Sequence, residues 1–380
     1  MRVLLFSVTA GEGHNMTARA IAEALKALGC ETRVVDAYRT SGRLMYHIID
    51  KGYLLVSAYL GRGYGFFYRL LERRRGNSYR GSLSRFSGRS NAKKFKRVID
   101  EFDPDVIVST HSFAARILDI VKERYGLRAK TVGIVTDFTV HPYWEEALRL
   151  DRLIIPAEEL APLALAKGFR EEQLRPLGIP IDPKFSVSLD KGEAREILRL
   201  SPTLPTLLLM SGSMGHGGIC KLLSRIDTME EDLQLIVVCG NNEKMKKRIA
   251  GRKWRKPMLL LGYTHDVPLL MDASDAILSK PGGLSTSEAL VRRLPMVIFD
   301  PIAGHEERNT EFLTAAGTAI AIECKKRTAD AVRRILSEET RREMRACIDK
   351  IRKPNAVADL CTEILALAKE ATEAQNTEEK

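Results

Sequence analysis

The stretch RVLLFSVTAGEGHNMTARAIAEAL, Arg2–Leu25, sets His14 between an apolar run and a helical pattern. An imidazole there suits proton transfer, because its ordinary pKa lies near neutral pH. The two glycines before it do not make a nucleotide loop. A dinucleotide fingerprint needs a third glycine where Met16 stands, and a P-loop needs lysine and a hydroxyl where His14-Asn15 stand. A polar cap and a general base remain as readings of His14. The positive end of the helix dipole at Gly13-His14 disfavours imidazolium, and a base must be neutral to accept a proton. Asp137, ending TVGIVTD, reads as a turn or cap residue or as a second reactive group. His141 and Trp144, in the same loop, suit packing equally well.

The second half holds a different chemistry. In LSKPGGLSTSEALVRRLPMVIFDPIAGHEERNTEFL, Leu278–Leu313, two strands each run into a helix, the first through Pro281-Gly282-Gly283. Helix amino termini behind glycines offer free N–H groups and a positive dipole end to a diphosphate. SGSMGHGG, Ser211–Gly218, supplies a third such turn, where Gly212 and Ser213 let backbone approach phosphate closely. Ser285-x-x-Glu288 has the spacing of a capping box, so Glu288 reads either as a cap or as a contact to ribose hydroxyls. No D-x-D pair offers itself for a metal, so helix dipoles and backbone amides are expected to meet the leaving charge. No cofactor is expected.

These residues need elements to position them. Short apolar strands alternate with helical patterns of 10–15 residues up to Lys167, which predicts βαβ units around a parallel sheet. Prolines crowd Pro176–Pro183, and a second series starts at PTLLLMSG. The expected domains are 1–178 and 184–365, followed by a polar tail, 366–380, with helix ending near Lys369. Two Rossmann-like domains with parallel sheets facing an interdomain cleft form the α/β architecture called GT-B.

The 380 residues carry a net charge of +11, yet residues 39–97 alone hold 15 Lys/Arg against 2 Asp/Glu. That segment also contains Tyr64, Phe66 and Phe67 beside Arg73, Arg74 and Arg75. A solvated basic surface and single-stranded nucleic acid are alternative readings. Aromatics beside clustered cations fit an anionic membrane surface best, and no nucleic acid is expected. The six cysteines are scattered without metal or disulfide spacing. The first residues read as a strand, not a signal peptide, and no run approaches the roughly 20 apolar residues of a spanning helix. The expected place is cytoplasmic, peripheral on the inner face of the cell membrane.

GEGH, VTDFTVHPYW (Val135–Trp144), PLGIPI (Pro176–Ile181), KPGGLSTSEAL (Lys280–Leu290) and AGHEERN (Ala303–Asn309) occur in this order. With them the chain resembles the family 28 glycosyltransferases over about residues 1–365. Within that family it is similar to the monogalactosyldiacylglycerol synthases and the bacterial diacylglycerol glucosyltransferases. The resemblance implies a lipid acceptor in the amino-terminal domain, near Gly13 and His14, and a sugar nucleotide in the carboxyl-terminal one. It makes Asp137 a partner orienting the histidine or the acceptor, and Glu288 the ribose contact. It runs the backbone of Tyr263 and Thr264 past the uracil edge, and adds Gly282, Gly283, Ser285, Thr286, Glu306 and Asn309 to the donor site. Ala303 and His305 depart from the family's proline and glutamine, which touches donor preference. The expected reaction moves a hexose from UDP-glucose or UDP-galactose to diacylglycerol, with inversion. A polyprenyl-diphosphate acceptor, a nucleotide-sugar epimerase and a non-catalytic UDP-sugar-binding protein are the rival readings.

Overall fold

The computed structural model describes residues 1–9, 12–42, 82–210, 212, 218–322 and 327–378. Most of the basic segment, including Tyr64, Phe66, Phe67 and Arg73–Arg75, lies outside the described residues, as does Ser213. The chain forms two units. The first comprises Met1–Asp182, Ala303–His305 and Asn355–Lys380, the second Pro183–Ile302 and Glu306–Pro354.

The first unit is built on β1 (Arg2–Ser7), β2 (Glu31–Asp36), β3 (Val106–Ser109), β4 (Lys130–Ile134), β5 (Arg152–Ile154) and β6 (Leu174–Arg175). They pair in parallel in the order β2-β1-β3-β4-β5-β6. Side chains alternate across a strand, so a sheet covered on both faces needs apolar residues throughout. Val3 and Leu5 point to a core with Ile21 and Leu25 of α1 (Gly13–Ala27). Leu4 and Phe6 point the other way, to α3 (Ser82–Phe102) and α4 (Ser112–Tyr125), where Phe6 stacks on Phe95 at 4.4 Å. The short α2 (Ala37–Ser41) follows β2, its amino end capped by Asp36.

The chain's last helix returns to this unit. Leu360, Ile364 and Leu367 join the Ile21 and Leu25 core, and Glu363 Oε1 accepts from Arg152 Nε at 2.6 Å and Arg175 Nε at 2.9 Å. The expected assignment of residues up to 365 to the second domain, and of 366–380 to a tail, is thereby corrected. The helix runs Ala356–Glu378 and belongs with the first unit, because its apolar stripe completes that core.

The second unit repeats the plan with β7 (Thr206–Met210), β8 (Gln234–Val238), β9 (Met258–Leu261), β10 (Ala276–Ser279), β11 (Met296–Ile298) and β12 (Ala319–Ala321). The order is β12-β11-β10-β7-β8-β9, again parallel. Its helices include α7 (Ile219–Asp227), α8 (Glu243–Ala250), α10 (Gly283–Val291) and, from Glu306 on, α11 (His305–Ala315). Among the described residues no helix is long and apolar enough to cross a membrane.

Candidate catalytic and donor sites

Each sheet has one place where its winding reverses. From β1 the chain goes to β2 on one side and to β3 on the other, so the loops leaving β1 and β3 diverge at their carboxyl ends. Such a switch point leaves a crevice at the edge of an open α/β sheet. His14 sits on this edge of the first unit, in the first turn of α1. Ser7 Oγ donates to Asn15 Oδ1 at 2.6 Å, which ties that turn to the end of β1.

The His14 ring is oriented by the β3 side of the crevice. Its Nδ1 lies 2.7 Å from the carbonyl oxygen of Thr110 and 3.3 Å from Thr136 Oγ1. A carbonyl only accepts, so Nδ1 carries the proton and donates it. Nε2 of the neutral ring is then a bare lone pair. Burial pushes the pKa below the ordinary 6.5, against the opposing pull of Asp137's charge and the Thr110 hydrogen bond. The neutrality expected from the helix dipole thus has burial as its main cause.

A second histidine, which sequence reasoning missed, meets the first. The rings of His111 and His14 are edge to face, 4.7 Å apart at 86°. His111 caps α4, where Phe113 N–H donates to its Nδ1 at 3.0 Å. Burial first, and His14 second, push the His111 pKa well below 6.5. The ring is therefore neutral with its proton on Nε2. The signal was the polar run Ser109-Thr110-His111-Ser112 closing an apolar strand. Asp137 follows β4 on the same edge and acts on His14 through its charge, while the hydrogen bond that orients the ring comes from Thr110. Trp144 packs: a Cβ at Gly133 would come within 2.8 Å of its ring, and the indole is 4% exposed. His141 takes the Tyr143 N–H, and burial lowers its pKa to about 4.

The second unit's switch point falls between β7 and β10. Gly212, just past β7, has φ +64, and nothing lies within 4 Å of where a Cβ would stand. The loop after β10 leads to Gly282, which caps α10 at φ −69 and ψ 142, also with open space beside it. The capping box expected at Ser285 and Glu288 is corrected. The helix already starts at Gly283 with no side-chain cap, so Ser285 lies in its first turn and Glu288 is buried farther along. The extended backbone at Gly282 sets the helix start there, four residues upstream of Thr286, whose N–H donates to the Gly282 carbonyl at 2.9 Å. Thr286 Oγ1 is buried with no hydrogen-bond partner among the described residues.

Two further carboxyl-end loops reach this edge. Glu306, on α11, accepts the Ile302 N–H at 2.6 Å, and Asn309 Nδ2 donates to the Pro281 carbonyl at 2.8 Å. Both side chains are buried and fix the loops before α11 and α10. His305 opens α11 and is half-buried. Tyr263 and Thr264 follow β9. The Tyr263 ring is 51% exposed and edge-on to His265 at 5.1 Å, while Thr264 Oγ1 accepts from Asp266 N–H.

Residues 14–181 match the monogalactosyldiacylglycerol (MGDG) synthase family, and residues 201–353 match the glycosyl transferases group 1. Monogalactosyldiacylglycerol synthase 3 of Arabidopsis thaliana is 28% identical over 97% of this chain and 82% of its own length. A processive diacylglycerol beta-glucosyltransferase of Bacillus subtilis is 26% identical, covering 89% of this chain and 87% of that protein. Among solved structures, MurG of Acinetobacter baumannii superposes with a TM-score of 0.68 at 15% identity, over 96% of this chain and 99% of that one. The fold is GT-B, and the similarity that the motifs indicated holds along nearly the whole chain.

Proposed function

We propose that this chain, a relative of the MGDG synthases with a GT-B fold, is a glycosyltransferase that moves a hexose from a UDP-sugar to diacylglycerol. The observation that carries the reading is the His14 tautomer. With Nδ1–H donated to Thr110, the neutral ring keeps Nε2 as a proton acceptor at the switch point of the first sheet.

In the reaction the acceptor hydroxyl gives its proton to His14 Nε2 as its oxygen bonds to the anomeric carbon. The bond from that carbon to the diphosphate oxygen breaks, and UDP leaves with the electron pair. Displacement from the opposite side inverts the anomeric centre. The charge on the departing diphosphate is met by the free N–H groups at the start of α10, with Gly212 in the neighbouring turn. Glu288 and the loop at Tyr263 and Thr264 are assigned to the nucleoside. The sequence similarity to enzymes named for diacylglycerol supports the acceptor. The basic, aromatic stretch within residues 39–97 supports a membrane surface as the place where that lipid is met.

The test is thin-layer separation of lipids formed from diacylglycerol with radiolabelled UDP-glucose or UDP-galactose. A labelled glycolipid with either donor supports the reading, and the productive donor names the sugar. Absence of labelled lipid with both, from protein that binds UDP, would leave a UDP-sugar-binding protein instead.

A further inference from the structure

The second unit carries a cavity of about 460 Å³ that holds none of the donor candidates. Lys221, Ser224 and Arg225 of α7 line one wall, and Arg248, Arg252 and Trp254 line the other. The lining runs along α7 from Lys221 in its first turn to Arg225 in its last, and the turn between α8 and β9 lies toward the amino-terminal ends of the strands.

Arg252 is held in place by neutral groups. Its guanidinium lies 4.6 Å over the Trp254 ring, and Nη1 donates to Ser224 Oγ at 2.8 Å. The indole is fixed in turn, donating to the Ile249 carbonyl at 2.8 Å. Among the described residues none of the four cations is in an ion pair. Elsewhere in this unit Arg333 pairs with Glu231, Arg341 with Glu338 and Arg293 with Asp349. Four like charges around one cavity repel, and a pre-set planar fork with no counter-charge suits phosphate oxygens.

We propose that this cavity binds a soluble phosphate ester. Its volume lies in the range of about 300–1,000 Å³ usual for small-molecule sites, so the phosphate is carried on an organic body. A lipid surface fits less well. Among the described residues no large apolar side chain is exposed on α7, α8 or the turn before β9, so nothing there would enter a bilayer.

The chain has 2 tryptophans, and Trp144 is buried in the first unit, so fluorescence changes at Trp254 report on the cavity. Ribose 5-phosphate should give a saturable change, and ribose at the same concentrations none. Arg225→Gln with Arg252→Gln should weaken the response about tenfold or more, as expected for lost charge-assisted hydrogen bonds. Should that pair unfold the chain, Lys221→Gln with Arg248→Gln, both exposed, should weaken it severalfold. Gly282→Ala should leave the response intact, which separates this site from the donor site. The proposal is overturned by no saturable change, by a change that folded Gln variants keep, or by a response only to phosphatidylcholine vesicles doped with phosphatidate.

Discussion

The two switch points share a topology and differ in their contents. Where β1 and β3 part, the crevice is lined by side chains that can exchange protons: His14, His111, and Asp137 acting through its charge. Where β7 and β10 part, it is lined by Gly212, Gly282 and the open end of α10, that is, by backbone. A parallel sheet provides the place in both cases. Tuned rings serve proton transfer, whereas bare N–H groups and a dipole serve an anion. The topology does not choose between these chemistries, and the loop residues do.

His14→Ala is the largest expected blow to this division. It should lower turnover by about 10² to 10⁴, the usual worth of a positioned proton acceptor. UDP affinity by calorimetry should stay nearly unchanged. A folded variant that loses UDP binding along with turnover would place phosphate at the first crevice and collapse the contrast.

Gly282→Ala probes the other side. At φ −69 alanine is unstrained, and the new methyl enters open space, so the melting temperature should hold. UDP affinity should fall by about 1.5–3 kcal/mol as the methyl pushes phosphate from the N–H groups. Unaltered UDP binding would move the phosphate away from α10.

Glu288→Ala should cost about 1–3 kcal/mol of UDP affinity through a lost charge-assisted hydrogen bond. The correction of the cap sharpens this test, since the helix amino terminus no longer depends on that carboxylate. Equal titration of UDP into a folded variant would assign Glu288 to packing.

The smallest effect expected is on pH dependence. As the proposed base, His14 must be neutral, and burial lowers its pKa below 6.5, so turnover should stay level as pH falls to 6.5 and drop only beneath it. His14, His111 and His141 are all shifted down, so the unfolded chain binds more protons than the folded one once pH falls below about 6.5. The stability they contribute is complete above that value and declines on acidification, for His141 through about pH 4. Denaturant titrations across this range should show that decline, smaller in His111→Asn. Stability rising on acidification would contradict the buried neutral rings.

Much of this was legible in the residues themselves. Apolar strands spaced by helical patterns specify parallel sheets, because both faces must be covered, and RVLLFS and TLLLM read as such strands directly. The glycines before α10 and the histidine after β1 stood out as candidates by type and place. Pattern alone did not settle where α10 begins, because SxxE and PGG both signal a helix start and only the folded backbone selects Gly283.

What the sequence by itself determined is therefore local: which segments are strands, which glycine turns lead into helices, and that His14 lies at a strand's carboxyl end. Tertiary structure alone decided what His14 is. Its tautomer is set by a carbonyl 96 residues away, and its neutrality by burial among loops from β3 and β4. Tertiary structure likewise gave Ala356–Glu378 to the first unit, through a stripe that fits the sheet and a Glu363 that meets Arg152 and Arg175. Periodicity encodes which face of a helix is apolar, whereas the partner of that face, or of a ring nitrogen, depends on contacts distant in the chain that no local pattern records.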